Sequence, residues 1–115
     1  MSKFTIFHNP RCRKSREALA LLQESTTDIE IVEYLKANLT EADISSLLTK
    51  LNKPAEEVIR KGEEIYKSNF KGKTLTESEW IKAIAENPIL LERPIVIKDD
   101  SALVCRPPEL VNEIL

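Results

Sequence analysis

Glycine is scarce in this chain: there are two among 115 residues, alongside six prolines. That supply excludes flexible linkers and low-complexity tails, and no glycine-rich phosphate loop is present. Cysteine is as rare, with only Cys12 and Cys105, far apart in sequence. No disulfide framework can be read from two such residues. Counting leaves a single bridge between them open, although a domain of this size needs none. One histidine and two distant cysteines make no metal-ligand cluster. No apolar run approaches the length of a membrane span, and Met1-Ser2-Lys3 opens no secretory signal. A net charge of −2 argues against a partner held through phosphate contacts, so no nucleic-acid ligand is expected. The length predicts one domain over 1–115, a monomer in a reducing cytoplasm, with no bound cofactor and no metal.

What is present concentrates near the start. His8-Asn9-Pro10-Arg11-Cys12-Arg13-Lys14-Ser15 follows the apolar run Phe4-Thr5-Ile6-Phe7 and puts one thiol where a strand gives way to a helix. Unpaired backbone N–H groups and the positive end of a helix dipole collect at such a junction. A thiolate is an anion, so the setting lowers a cysteine's pKa and makes Cys12 a nucleophile at neutral pH. Arg11, Arg13, Lys14 and a protonated His8 would act in the same direction. The same junction attracts an incoming oxyanion.

The rest of the chain supplies a frame. Phe4 to His8 reads as a strand, Arg11 to about Glu24 as an amphipathic helix, and Ile29 to Tyr34 as a second, β-branched strand. A crossover helix between two strands implies that they pair in parallel. Thr40 caps a helix bearing Ile44, Leu47, Leu48 and Leu51, with Asp43 where a capping box usually has Glu or Gln. Pro54 opens a short helix expected to run through Arg60 and Lys61 to Gly62, and Glu63 to Ser68 adds a turn. Thr76-Glu77-Ser78-Glu79 is a full capping box for a helix ending near Asn87-Pro88. Pro94 to Lys98 and Ala102 to Cys105 flank a polar turn and form a hairpin, and Pro107-Pro108 starts a last helix. The order β-α-β, a helical insertion at about 40–87, then β-β-α is that of an α/β thioredoxin-like fold with a mixed sheet.

The motifs in that frame resemble the glutaredoxin-coupled arsenate reductase family (ArsC-like) over essentially the whole length. The resemblance rests on His8-Asn9-Pro10-x-Cys12-x-x-Ser15-Arg16, on Val58-Ile59-Arg60-Lys61, on Asn87-Pro88-Ile89-Leu90 running into Glu92-Arg93-Pro94-Ile95-Val96, and on Cys105-Arg106-Pro107. It implies that Cys12 is the catalytic thiol, that His8 helps to activate it, and that Arg60, Arg93 and Arg106 bind arsenate or a similar oxyanion. Guanidinium forks suit the oxygens of a tetrahedral anion as they suit phosphate. Ser15 replaces the second thiol of a C-x-x-C pair, so an external thiol must finish the reduction. Glutathione as co-substrate and a glutaredoxin partner follow. Ser15 is expected one helical turn from Cys12, with a hydrogen bond to its sulfur.

Plainer roles stand beside these. His8 reads equally as a strand-end hydrogen-bonding group, and Arg60 as a base offsetting the dipole in a last helical turn. Arg11, Arg13 and Lys14 read as a solvated rim, Cys105 as an inward-facing strand residue, Trp80 as packing mass, and the paired glutamates as helix surface. Two other functions remain open. One is a glutathione-linked thiol-disulfide oxidoreductase acting on another substrate. The other is an Spx-like redox-sensing regulator that binds RNA polymerase, although Ser15 removes the second thiol of its switch.

Overall fold

The computed structural model describes residues 3–115, which form two compact units, one of 3–37 with 93–115 and one of 38–92. The insertion expected at about 40–87 falls inside the second.

In the first unit, β1 (Phe4–Phe7) leads through the cysteine loop into helix α1 (Arg13–Ser25), and β2 (Ile29–Val32) follows. The chain returns as β3 (Ile95–Lys98) and β4 (Ser101–Val104), and the sheet order is β2-β1-β3-β4. β1 lies parallel to β2, as the crossover helix requires, and antiparallel to β3. Side chains alternate across a strand, so Phe4 and Ile6 share one face of β1. They pack with Ala18 and Leu22 of α1, Val96, Cys105, Val111 and Ile114 to make the core of this unit. On the opposite face Phe7 stacks on Tyr34, with ring centroids 6.3 Å apart.

Several boundaries differ from the sequence reading, each for a local reason. α1 begins at Arg13, because the Asn9 side chain accepts from Arg11 N–H at 3.0 Å and the Asn9 carbonyl from Cys12 N–H at 2.9 Å. This turn uses the donors that an earlier helical turn would have left facing solvent. β2 stops at Val32, and Lys36 N–H closes a turn on the Glu33 carbonyl at 2.9 Å, leaving Tyr34 outside the strand. The hairpin turn is only Asp99-Asp100, since Ser101 pairs with Lys98, and Asp99 takes a positive φ of 54°. The terminal helix over Pro108–Glu113 is of the tighter 3₁₀ kind, with Leu110 N–H bonded to the Pro107 carbonyl.

The second unit holds α2 (Glu41–Leu51), α3 (Glu64–Asn69) and α4 (Glu77–Glu86), with 3₁₀ turns at Ala55–Val58 and Pro88–Leu90. Both Thr40 and Thr76 sit in complete capping boxes. Asp43 serves where Glu was thought necessary: its carboxylate accepts from Thr40 N–H at 2.9 Å. The helix expected through Arg60 and Lys61 is only the 3₁₀ turn ending at Val58. Ile59 instead bridges to Leu91, and Arg60 N–H reaches the Leu90 carbonyl at 2.7 Å. A backbone committed to that pairing cannot continue a helix. Tyr66 and Phe70 pack against Trp80, which is buried as its reading as packing mass expects.

Candidate active site

Strand β1 ends at Phe7, and the next five residues turn the chain from sheet into helix. The turn is fixed at both ends. His8 N–H pairs with the Val32 carbonyl at 2.8 Å, and the Arg16 guanidinium reaches the Pro10 carbonyl at 2.9 Å. Cys12 occupies the N-cap of α1 in an extended conformation (φ −96°, ψ 120°) and is partly exposed. No capping hydrogen bond of regular geometry reaches its sulfur.

The surroundings of that sulfur nevertheless favour an anion. Burial opposes ionisation of Cys12, but the Arg93 guanidinium and the backbone N–H groups of Ser15 and Lys14 outweigh it. The thiol pKa therefore lies below its usual value. Arg93 is held between partners. Burial disfavours its charge, yet Cys12 and Tyr34 more than offset this, and its pKa is raised. Its Nε and Nη1 atoms are buried and carry no hydrogen bond. Buried guanidinium donors of this kind are costly to leave unused, and they suit an anionic oxygen.

His8 and Ser15 form a second group behind the sulfur. Both are buried, and His8 Nδ1 lies 2.6 Å from Ser15 Oγ, which also accepts from Asn9 N–H at 3.0 Å. The expected bond from Ser15 to the sulfur therefore changes form: the hydroxyl is engaged by His8 and Asn9, and Ser15 acts on Cys12 through its backbone. Burial holds the His8 pKa below its ordinary value, against the pull of the Glu33 carboxylate and with a smaller push from Arg16. Protonation of His8 is thus disfavoured, against its expected role as a cation near the thiol.

The other predicted residues separate. Arg106 is exposed and donates from Nη1 to the Arg93 carbonyl at 3.2 Å, which ties the chain two residues before β3 to the residue after Cys105. The Arg93–Pro94 and Arg106–Pro107 peptide bonds are both cis. Arg60 belongs to the 38–92 unit, where its Nε bonds Glu63 at 3.2 Å and its buried Nη1 has no hydrogen bond. It lies in no helical turn, so the dipole role weighed for it does not apply. Of the basic rim, Arg13 pairs with Glu17 and is exposed. Cys105 is fully buried, its Sγ donating to the Leu103 carbonyl at 3.6 Å. Burial pushes its pKa up to about 12, with Glu113 adding slightly and the Val96 backbone opposing. Among the described residues, no His, Cys, Asp and Glu cluster could hold a metal ion, and no helix is long and apolar enough to cross a membrane.

Sequence reasoning passed over Tyr34 and Asn9. Tyr34 looked like one more strand residue, and nothing in its neighbours marks it as facing Arg93. Asn9 carried a usable signal: Asn before Pro favours a turn held by its own side chain.

A four-stranded mixed sheet with a cysteine at the first helix's N-cap defines a thioredoxin-like α/β protein. The ArsC family model matches residues 7–114, and the chain belongs to that family. It is 43% identical over 112 residues to the arsenate reductase of Haemophilus influenzae, covering 96% of this chain and 97% of that one. Identity to the uncharacterized protein YfgD of Escherichia coli K12 is 44% over 112 residues, covering 96% and 94%. The arsenate reductase structure from Vibrio cholerae superposes with a TM-score of 0.92 at 37% identity, over 98% of each chain.

Proposed function

We propose that this protein reduces arsenate to arsenite through a Cys12 thiolate, with glutathione and a glutaredoxin as electron source in a reducing cytoplasm. The observation that carries the reading is the placement of Cys12: an N-cap thiol facing Arg93 and two backbone N–H groups, with its pKa lowered despite burial. Family membership and the arsenate reductases among its relatives support the choice of substrate.

In the proposed reaction the thiolate attacks arsenic, a sulfur–arsenic bond forms, and one arsenate oxygen leaves as water. An external thiol then attacks the adduct. Two thiols give up two electrons as a disulfide, and As(V) becomes As(III). Arg93 presents unused Nε and Nη1 donors beside the sulfur, suited to the oxygens of the anion. Arg106 holds the Arg93 backbone and adds positive charge. Arg60 is assigned to the anion from the sequence pattern alone, and Arg60→Ala tests it through the KM for arsenate. His8 and Ser15 keep the loop in place, and His8 does so in its neutral form. Ser15 leaves no neighbouring thiol to resolve the adduct, which is why the second thiol comes from outside.

The test is NADPH consumption with arsenate, glutathione, glutathione reductase and glutaredoxin, with arsenite measured in the same samples. Arsenite formation by the wild type and none by Cys12→Ser is the expected outcome. No arsenite from a protein whose Cys12 still alkylates rapidly would replace arsenate by a disulfide substrate.

A further inference from the structure

We propose that Tyr34 is a positioning residue: its buried hydroxyl orients the Arg93 guanidinium toward the Cys12 sulfur. The inference deepens the reading of Cys12 as the nucleophile and rests on it.

Tyr34 is fully buried, in the turn that follows β2, within the same unit as Cys12 and Arg93. Its ring is held by the nearly parallel ring of Phe7, 6.3 Å away and 14° inclined. Phe7 is the last residue of β1, immediately before the cysteine loop, so the ring is registered to that loop through the sheet. The hydroxyl oxygen is itself buried. Burying a phenol oxygen is unfavourable unless it meets a polar partner. Val32 and Ile95 flank Phe7 in the sheet, so Tyr34, two residues after one, and Arg93, two before the other, both lie at the end of β1, where the guanidinium is the partner of the hydroxyl.

Arg93 needs such an anchor. An arginine side chain has several rotatable bonds, and its fork serves an anion only when its orientation is set. The backbone carbonyl of Arg93 accepts a hydrogen bond from Arg106. That bond leaves the guanidinium free to swing. Tyr34 and Cys12 both interact with it, and its buried Nε and Nη1, which carry no hydrogen bond, remain for an oxyanion. In this proposal Tyr34 works through Arg93, whose guanidinium interacts with both the hydroxyl and Cys12.

The experiment reads the thiol directly and does not depend on arsenate turnover. The rate of Cys12 alkylation by iodoacetamide is followed against pH in wild type, Tyr34→Phe, Arg93→Ala and the double variant, with circular dichroism to confirm folding. Phenylalanine keeps the ring and its stack and removes only the hydroxyl. Tyr34→Phe is expected to move the midpoint to higher pH and slow alkylation below it about fivefold, the effect of one ordinary hydrogen bond. Added to Arg93→Ala, it should do nothing more. An unmoved midpoint, or a shift that adds fully to that of Arg93→Ala, overturns the proposal while leaving the role of Cys12 intact. Loss of arsenite formation by Cys12→Ser judges the functional reading separately. Should Tyr34→Phe not fold, 3-fluorotyrosine at position 34 preserves shape and hydroxyl and supplies a fluorine resonance. Arg93→Ala must move that resonance, and indifference to Arg93 is the overturning result.

Discussion

The start of α1 and the end of β4 each carry a cysteine, in the same unit of the molecule, and the two thiols have opposite characters. Cys12 is partly exposed and faces a guanidinium and free backbone donors, and its pKa falls. Cys105 is packed with Phe4, Leu22 and Val111, and its pKa rises to about 12. Burial acts in the same direction on both. What differs is whether donors stand ready for the anion, and that depends on backbone geometry at a helix start against a closed strand end. The direction of the pKa shift here is a property of position, with the side chain held constant.

The comparison breaks most visibly at Cys12. Cys12→Ser is expected to reduce arsenite formation to background, because a hydroxyl at neutral pH is no substitute for a thiolate. Next comes Arg93→Ala, with an expected loss of about 100-fold in kcat/KM for arsenate, the scale of one preorganised charge-stabilising donor. Alkylation of Cys12 should slow far less. Equal damage to both rates would make Arg93 structural. Cys105→Ser sharpens the contrast from the other side: it places a hydroxyl in an apolar site and should cost about 1–3 kcal/mol in chemical denaturation. Its turnover should stay within a factor of two or so of wild type. Turnover lost with the fold preserved would make Cys105 a resolving thiol and erase the distinction.

Two smaller effects test the surroundings. His8 has a folded pKa below its unfolded value, so the unfolded chain binds the extra proton first as pH falls. Its contribution to stability is therefore complete above the unfolded pKa of about 6.5 and is lost as pH drops through the folded value. Thermal melts of wild type and His8→Gln between neutral pH and pH 5 should diverge in slope, the wild type falling more steeply. Parallel slopes would remove His8 from the buried network. Smallest for the thiol is Thr40→Ala in the 38–92 unit, which should cost about 1 kcal/mol of stability through the lost cap. The alkylation midpoint of Cys12 should not move.

The sequence made the frame legible where patterns are local. The parallel β1–β2 pair, the hairpin and the box at Thr76 follow from periodicity and capping residues. The cysteine loop was readable too, because Pro10 must stop the strand and a helix must follow. Legibility failed where a long-range bond overrode a local preference. Arg60 looked helical after Pro54, yet the bridge of Ile59 to Leu91 claims its backbone. Ser15 looked like a partner for the sulfur, yet His8 and Asn9 take its hydroxyl. Tyr34 gave no sign at all, since what it faces is set by a residue 59 positions further on.

The buried serine at position 15 also sets how this protein ages under oxidants. A thiolate poised for attack is equally poised for peroxide, which carries it to sulfenic acid. In a C-x-x-C loop the neighbouring sulfur would close a disulfide at once and halt the damage there. Ser15 carries no sulfur, so under the proposed chemistry that exit is absent, and a thiol arriving from solution is needed to rescue Cys12 before irreversible sulfinic acid forms. On the proposed role of Cys12, the lifetime of the protein in an oxidising episode would follow the small-thiol pool around it, while Cys105 stays buried in the core.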